Sequence, residues 1–148
     1  VEYNPTHAAF HDYALLSTYL DAIVLMCYDQ HNPKTKPGPV TGVEWSRKNI
    51  EYALQFFKAN QLWLGIPAYG YIWKDNTYYS VITMKSLSRY VTRYRNYRHT
   101  SGTIVIEYTQ NNDHFIAYVP DVNLHNQLYE LATSYKLKGI ALWRLGFE

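Results

Sequence analysis

The sequence predicts an α/β fold organised around a parallel sheet, and three observations carry that reading. Residues 22–28 ("AIVLMCY"), 61–67 ("QLWLGIP") and 138–146 ("KGIALWRLG") are apolar runs without polar alternation. Such runs mark strands covered on both faces, as in parallel sheets flanked by helices. Segments of helical period separate the runs, giving strand, helix, strand, a longer excursion, helix, strand. All three runs end in aromatic or ionisable residues: "YDQH" from Tyr28 to His31, "PAYGYIW" from Pro67 to Trp73, and "WRLG" from Trp143 to Gly146. In parallel α/β folds, sites form beyond the carboxyl ends of the strands.

Each element has its own justification. Asp12 can cap a short helix, "DYALLSTYL", with Leu15, Leu16 and Tyr19 on one side. The first strand follows. After a Pro-rich loop, "VEWSRKNIEYALQFFKAN" places Ile50, Ala53, Leu54 and Phe57 at helical spacing, with Asn60 as a stop. Pro67 ends the second strand. From Tyr69 to about Pro120 the pattern changes. A helix "MKSLSRYVTRYRNY" is expected there, then "GTIVIEYTQ" and "HFIAYV" as an antiparallel hairpin around "NND". A small α+β insertion accounts for that length. Asp121 then caps a helix whose stripe is Leu124, Leu128, Leu131 and Tyr135, and the third strand closes the chain. The expected division is therefore 1–68, 69–120 and 121–148.

Bulk properties narrow the function classes. The chain has 148 residues, the size of one domain, and 47% are apolar against 18% charged, so it can build a core. The net charge of +2 argues against nucleic acid or an anionic membrane as partner. "RYVTRYRNYRH" interleaves arginines with aromatics, but Tyr90, Tyr94 and Tyr97 would share one helical face and leave the arginines solvated. The single Cys27 lies in an apolar run and reads as a buried, inert thiol. The six histidines show no tight metal spacing; His7 and His11 are four apart without a carboxylate partner. No phosphate loop or nucleophile elbow is present, so no cofactor or metal is expected. No apolar run is long enough to span a bilayer. Val1 and the "LGFE" end read as positions inside something longer.

Three motifs in order resemble glycoside hydrolase family 18: Met-x-Tyr-Asp at Met26 to Asp29, "LGIPAYGY" at 64–71, and "ALWRLG" at 141–146. The nearest flavour is the spore-cortex and peptidoglycan N-acetylglucosaminidase branch, with chitinases as wider relatives. The resemblance covers nearly the whole chain. It implies the C-terminal portion of a (β/α)8 barrel, strands six to eight, with the α+β insertion after strand seven. It implies retaining cleavage of β-1,4 bonds at N-acetylglucosamine, in peptidoglycan or chitin. The sugar's own acetamide oxygen acts as nucleophile, and one glutamic acid protonates the leaving oxygen.

The same resemblance implies roles. Tyr28 would hold the acetamide oxygen in line, and Asp29 would orient the same sugar. Trp143 would floor the cleaved sugar. Tyr69, Tyr71 and Trp73 would line the cleft wall. Gln30 and His31 would reach the glycan rim, and Met26 joins the substrate-binding set. The family's acid lies in an Asp-x-x-Asp-x-Asp-x-Glu run on strand four, and no such run occurs here. Glu107 would be structural, and Glu44 and Glu51 would sit on an outer helix. The expected protein is therefore part of a larger enzyme, inactive alone. Its missing barrel half would come from the same parent chain, a second chain or a self-dimer. Export to the cell envelope or beyond follows from the substrate class. The alternative is a lectin-like, non-catalytic glycan-binding member of the same family.

Overall fold

The computed structural model describes residues 11–148. His7, and the opening of the segment expected at 1–68, fall outside them. Asp12 does cap the first helix: its carboxylate accepts from Leu15 N–H at 2.9 Å at the start of α1 (Tyr13–Tyr19). Strand β1 (Ile23–Met26) follows, then α2 (Val43–Ala53) and a short 3-10 turn (Ala59–Gln61). Helix α2 ends at Leu54, earlier than the expected stop at Asn60. Tyr13 draws the next turn inward, because its ring meets Tyr52, Phe56 and Phe57 at 5.6–6.0 Å.

β2 (Leu62–Pro67) pairs in parallel with β1 on one side and with β8 (Gly139–Trp143) on the other. Helix α4 (Val122–Ser134) precedes β8, its start capped by Asp121 accepting from Leu124 N–H at 2.8 Å. One face of this three-stranded sheet is closed. Leu25, Cys27, Leu62, Leu64 and Ile66 pack against Tyr13, Ile50, Ala53 and the leucine stripe of α4. The other face is open. Val24 and Met26 are 48% and 47% exposed, although the sequence predicts strands covered on both faces. The described chain supplies helices for one face only.

The excursion forms a second, antiparallel sheet of five strands in the order β4 (Thr77–Thr83), β3 (Tyr69–Lys74), β7 (Asp113–Pro120), β6 (Thr103–Gln110), β5 (Tyr97–Thr100). β3 and β4 make a hairpin in place of the single strand end expected at 67–73. Asp75 and Asn76 both take positive φ there, 47° and 66°. Aspartate and asparagine tolerate that region, and such a pair matches the twist of a two-residue hairpin turn. The expected hairpin of β6 (Thr103–Gln110) and β7 (Asp113–Pro120) is present. Helix α3 (Met84–Arg93) is shorter than expected, because β5 (Tyr97–Thr100) pairs with β6. Tyr97 therefore leaves the helical face it was expected to share with Tyr90 and Tyr94. Helix α3 covers one face of the sheet over Ile72, Ile82, Ile106 and Phe115. The opposite face, carrying Tyr69, Tyr71 and Trp73, meets the end of β1.

Candidate active site

The parallel strands deliver their ends to one rim. β1 hands over to Cys27 and Tyr28. A glycine on the neighbouring strand makes room, since a Cβ at Gly65 would meet the Leu25 carbonyl at 2.7 Å and the Tyr28 ring at 3.1 Å. Tyr28 lies nearly parallel to Trp143 at the end of β8, with ring centroids 6.1 Å apart and planes 20° apart. Trp143 is 51% exposed, so the free part of its indole faces solvent at the rim. Its carbonyl accepts from Ala68 N–H at 2.7 Å, which ties the end of β8 to the crossing from β2 to β3.

Asp29 is the hub. Its φ of 65° turns the chain sharply out of the strand, a conformation uncommon for a side chain other than Asn or Asp. Its Oδ1 accepts from two phenols, Tyr69 at 2.5 Å and Tyr71 at 2.7 Å. Those hydroxyls come from the second sheet, some forty residues along the chain. Burial, then hydrogen bonding to Asp29, raises both phenols well above the ordinary tyrosine range, so both remain protonated donors. Burial followed by the Asp29 charge also raises Tyr28, so it too keeps its proton. The neighbouring Cys27 thiol is pushed up to about 12, chiefly by burial, and is inert as the sequence predicts.

The structure relocates several residues expected at the cleft. Tyr69 and Tyr71 are almost closed to solvent and serve as a clamp on Asp29 instead of an open wall. Trp73 is fully buried, with its ring edge-on to Tyr71 at 5.9 Å and to Tyr118 at 6.0 Å, so it backs the clamp and lines no cleft surface. His31 does not reach outward. Its ring packs on Gly38, where a Cβ would come within 2.5 Å, and its Nδ1 lies 3.2 Å from the Lys36 carbonyl. Gln30 N–H donates to the Val40 carbonyl at 2.9 Å, which closes the same loop beside Asp29. Met26 stays half exposed on the open face of β1, below Tyr28.

Two residues were not anticipated. Phe147 sits edge-on to Tyr69 at 6.3 Å, and Tyr78 edge-on to Tyr71 at 5.8 Å, so each braces one arm of the clamp. The Asp-Asn turn signal could have exposed Tyr78; nothing in the sequence pointed to Phe147. Glu107, expected to be structural, and Glu44 and Glu51, expected on an outer helix, each have a hydrogen-bond partner. Glu107 accepts from Arg98, Glu51 from the Tyr135 hydroxyl at 2.6 Å, and Glu44 from Arg47 at 3.3 Å. Among the described residues no three His, Cys, Asp or Glu side chains gather as a metal site.

Comparison with known proteins identifies the family and the fold. The family model for glycosyl hydrolases family 18 matches residues 2–148. The uncharacterized glycosylase YvbX of Bacillus subtilis is 28% identical over 145 residues, 93% of this chain and 42% of that protein. A chitinase from Chromobacterium violaceum superposes with a TM-score of 0.86 at 26% identity, over 93% of this chain and 44% of the enzyme. The Bacillus cereus spore cortex-lytic enzyme SleL shares the fold, with a TM-score of 0.85 at 18% identity over 93% of this chain and 34% of SleL. This chain thus spans less than half the length of each of these relatives. It belongs to glycosyl hydrolase family 18.

Proposed function

We propose that this chain is the C-terminal part of a retaining glycosidase that cleaves β-1,4 bonds at N-acetylglucosamine in peptidoglycan or chitin. Its three parallel strands correspond to barrel strands six to eight, and the five-stranded sheet to the insertion after strand seven. The single observation that carries the reading is the rim itself. A neutral phenol, a carboxylate clamped by two tyrosines and an exposed indole meet where three parallel strands end.

Each group suits one task. The Tyr28 hydroxyl donates to the acetamide carbonyl oxygen and holds it in line behind the anomeric carbon. That oxygen attacks, the glycosidic oxygen leaves with a proton from a glutamic acid outside this chain, and water later opens the cyclic intermediate. Asp29, fixed by its two phenols, accepts from the sugar and turns the acetamide toward Tyr28. The half-exposed Trp143 face matches the apolar face of a pyranose. The open face of the parallel sheet is then the inner wall of the barrel, completed by the remaining strands. In this reading the chain alone does not turn over substrate, and the parent acts in the cell envelope or outside the cell.

The test is hydrolysis of β-1,4-linked N-acetylglucosamine oligomers and of peptidoglycan glycan strands by the full-length protein, with reducing ends counted. Release of reducing sugar that stops in a Trp143→Ala variant, together with weakened oligomer binding, supports the reading. Oligomer binding without any cleavage by the intact protein overturns it in favour of a lectin-like role.

A further inference from the structure

The arginines of α3 are exposed, as expected for its solvated side, and both also border a cavity. Arg89 and Arg93, one turn apart, line a cavity of about 300 Å³ between α3 and the face of the second sheet that points away from Asp29. Its aromatic wall is built from a stack. Tyr94 lies on Tyr108 with centroids 3.8 Å apart and planes 11° apart, and Tyr108 lies on Phe115 at 4.9 Å and 5°. The bulge in β4 turns Tyr79 to this side, where its ring meets Phe115 edge-on at 5.1 Å. Arg93 rests over the Tyr94 ring at 5.3 Å. Tyr94 Oη donates to Gln110 Oε1 at 3.2 Å and holds that amide at the cavity.

Among the described residues no acidic side chain lines the cavity and neither arginine pairs with a carboxylate, whereas Arg47, Lys74 and Arg98 each do. Two guanidiniums without a carboxylate partner among the described residues suit an anion, and their planar fork suits a carboxylate. Aromatic walls rimmed with phenol hydroxyls suit the apolar face and hydroxyl edge of a sugar ring. A volume at the small end of ligand sites suits one ring better than a chain of them. We propose that this cavity is an accessory site for a carboxylate-bearing amino sugar, on the opposite sheet face from the Tyr28–Asp29 rim. The inference rests on the reading that the parent acts on N-acetylhexosamine glycans. It favours a polymer whose sugars carry acid groups over neutral chitin.

The experiment is calorimetric titration of the full-length protein with N-acetylmuramic acid and with N-acetylglucosamine, which differ by one lactyl carboxylate. It is repeated in Trp143→Ala, which disables the rim, and in Arg89→Gln/Arg93→Gln. The expected result is preferential binding of the acid sugar that survives Trp143→Ala, weakens with salt, and drops by about tenfold or more in the double arginine variant. Equal binding of the two sugars, or acid-sugar binding indifferent to the arginines, overturns the proposal. So does equal competition by inorganic phosphate, which makes the cavity a bare anion site. Tighter, arginine-dependent binding of a DNA oligonucleotide would assign the cavity to nucleic acid instead. The outcomes are separable from the glycosidase reading, because binding is read directly and the rim variant is tested apart.

Discussion

Asp29 combines a left-handed backbone with one carboxylate oxygen shared by two buried phenols. Removing that oxygen strands both donors. Asp29→Ala is expected to cost about 1–3 kcal/mol for each unpaired phenol, whereas Asp29→Asn keeps an acceptor and costs less. Urea unfolding of the two variants checks the difference, and equal stability would mean the clamp is not formed. Tyr28, Asp29 and Trp143 stand at strand ends, a position visible in the pattern of apolar runs. Tyr69, Tyr71 and Trp73 alternate, so their common side was visible as well. Their depth was not. Whether a phenol meets a sugar or a carboxylate depends on a contact between two sheets distant in sequence, which no local period encodes.

Among the elements, the parallel strands and their helices were legible because long apolar runs and helical stripes report burial directly. The hairpin of β3 and β4 was hidden because "PAYGYIW" reads equally well as the tail of the preceding strand. Only Asp75-Asn76 marks the reversal. β5 was hidden because alternating Arg and Tyr near a helix end satisfies either period. Two expectations belong at this scale. Gly70 lets β3 approach β7 closely: a Cβ there would fall 1.8 Å from the Tyr118 carbonyl oxygen. Gly70→Ala is expected to destabilise by about 3 kcal/mol, the upper part of the usual overpacking range, and a thermal melt within a degree of the parent would refute it. His125 joins α4 to the end of β2, its Nε2–H donating to the Pro67 carbonyl at 2.8 Å. Burial, the largest influence, lowers its proton affinity, outweighing the Pro67 bond and Asp121, which raise it. The unfolded chain therefore binds the proton more readily than the folded one. This contribution to stability is full above the ordinary value of 6.5 and is lost as pH falls below it. Denaturation midpoints measured from pH 8 to pH 5 should decline in the native protein and decline less in His125→Gln.

For the molecule as a whole, the decisive feature is the asymmetry of the parallel sheet. Its helix-covered face holds Ile50, Leu62, Leu64 and Leu128 fully buried, while Val24, Met26 and Trp143 stand half exposed on the other. An apolar sheet face of this kind marks a surface made to be covered. The chain in isolation is expected to self-associate through it, and Val24→Lys/Met26→Lys should return it to a monomer in native mass spectrometry. Persistence of the association would place the contact elsewhere. The chemistry, however, is assigned to the rim, where a neutral phenol would hold the acetamide during attack. It is tested most directly by kcat and KM of Tyr28→Phe in the full-length protein on an N-acetylglucosamine oligomer. The expected result is a fall in kcat of about 100-fold or more with KM changed little, because the hydroxyl acts mainly in the transition state. An unchanged kcat would contradict it and return Tyr28 to the role of a packing residue under Trp143.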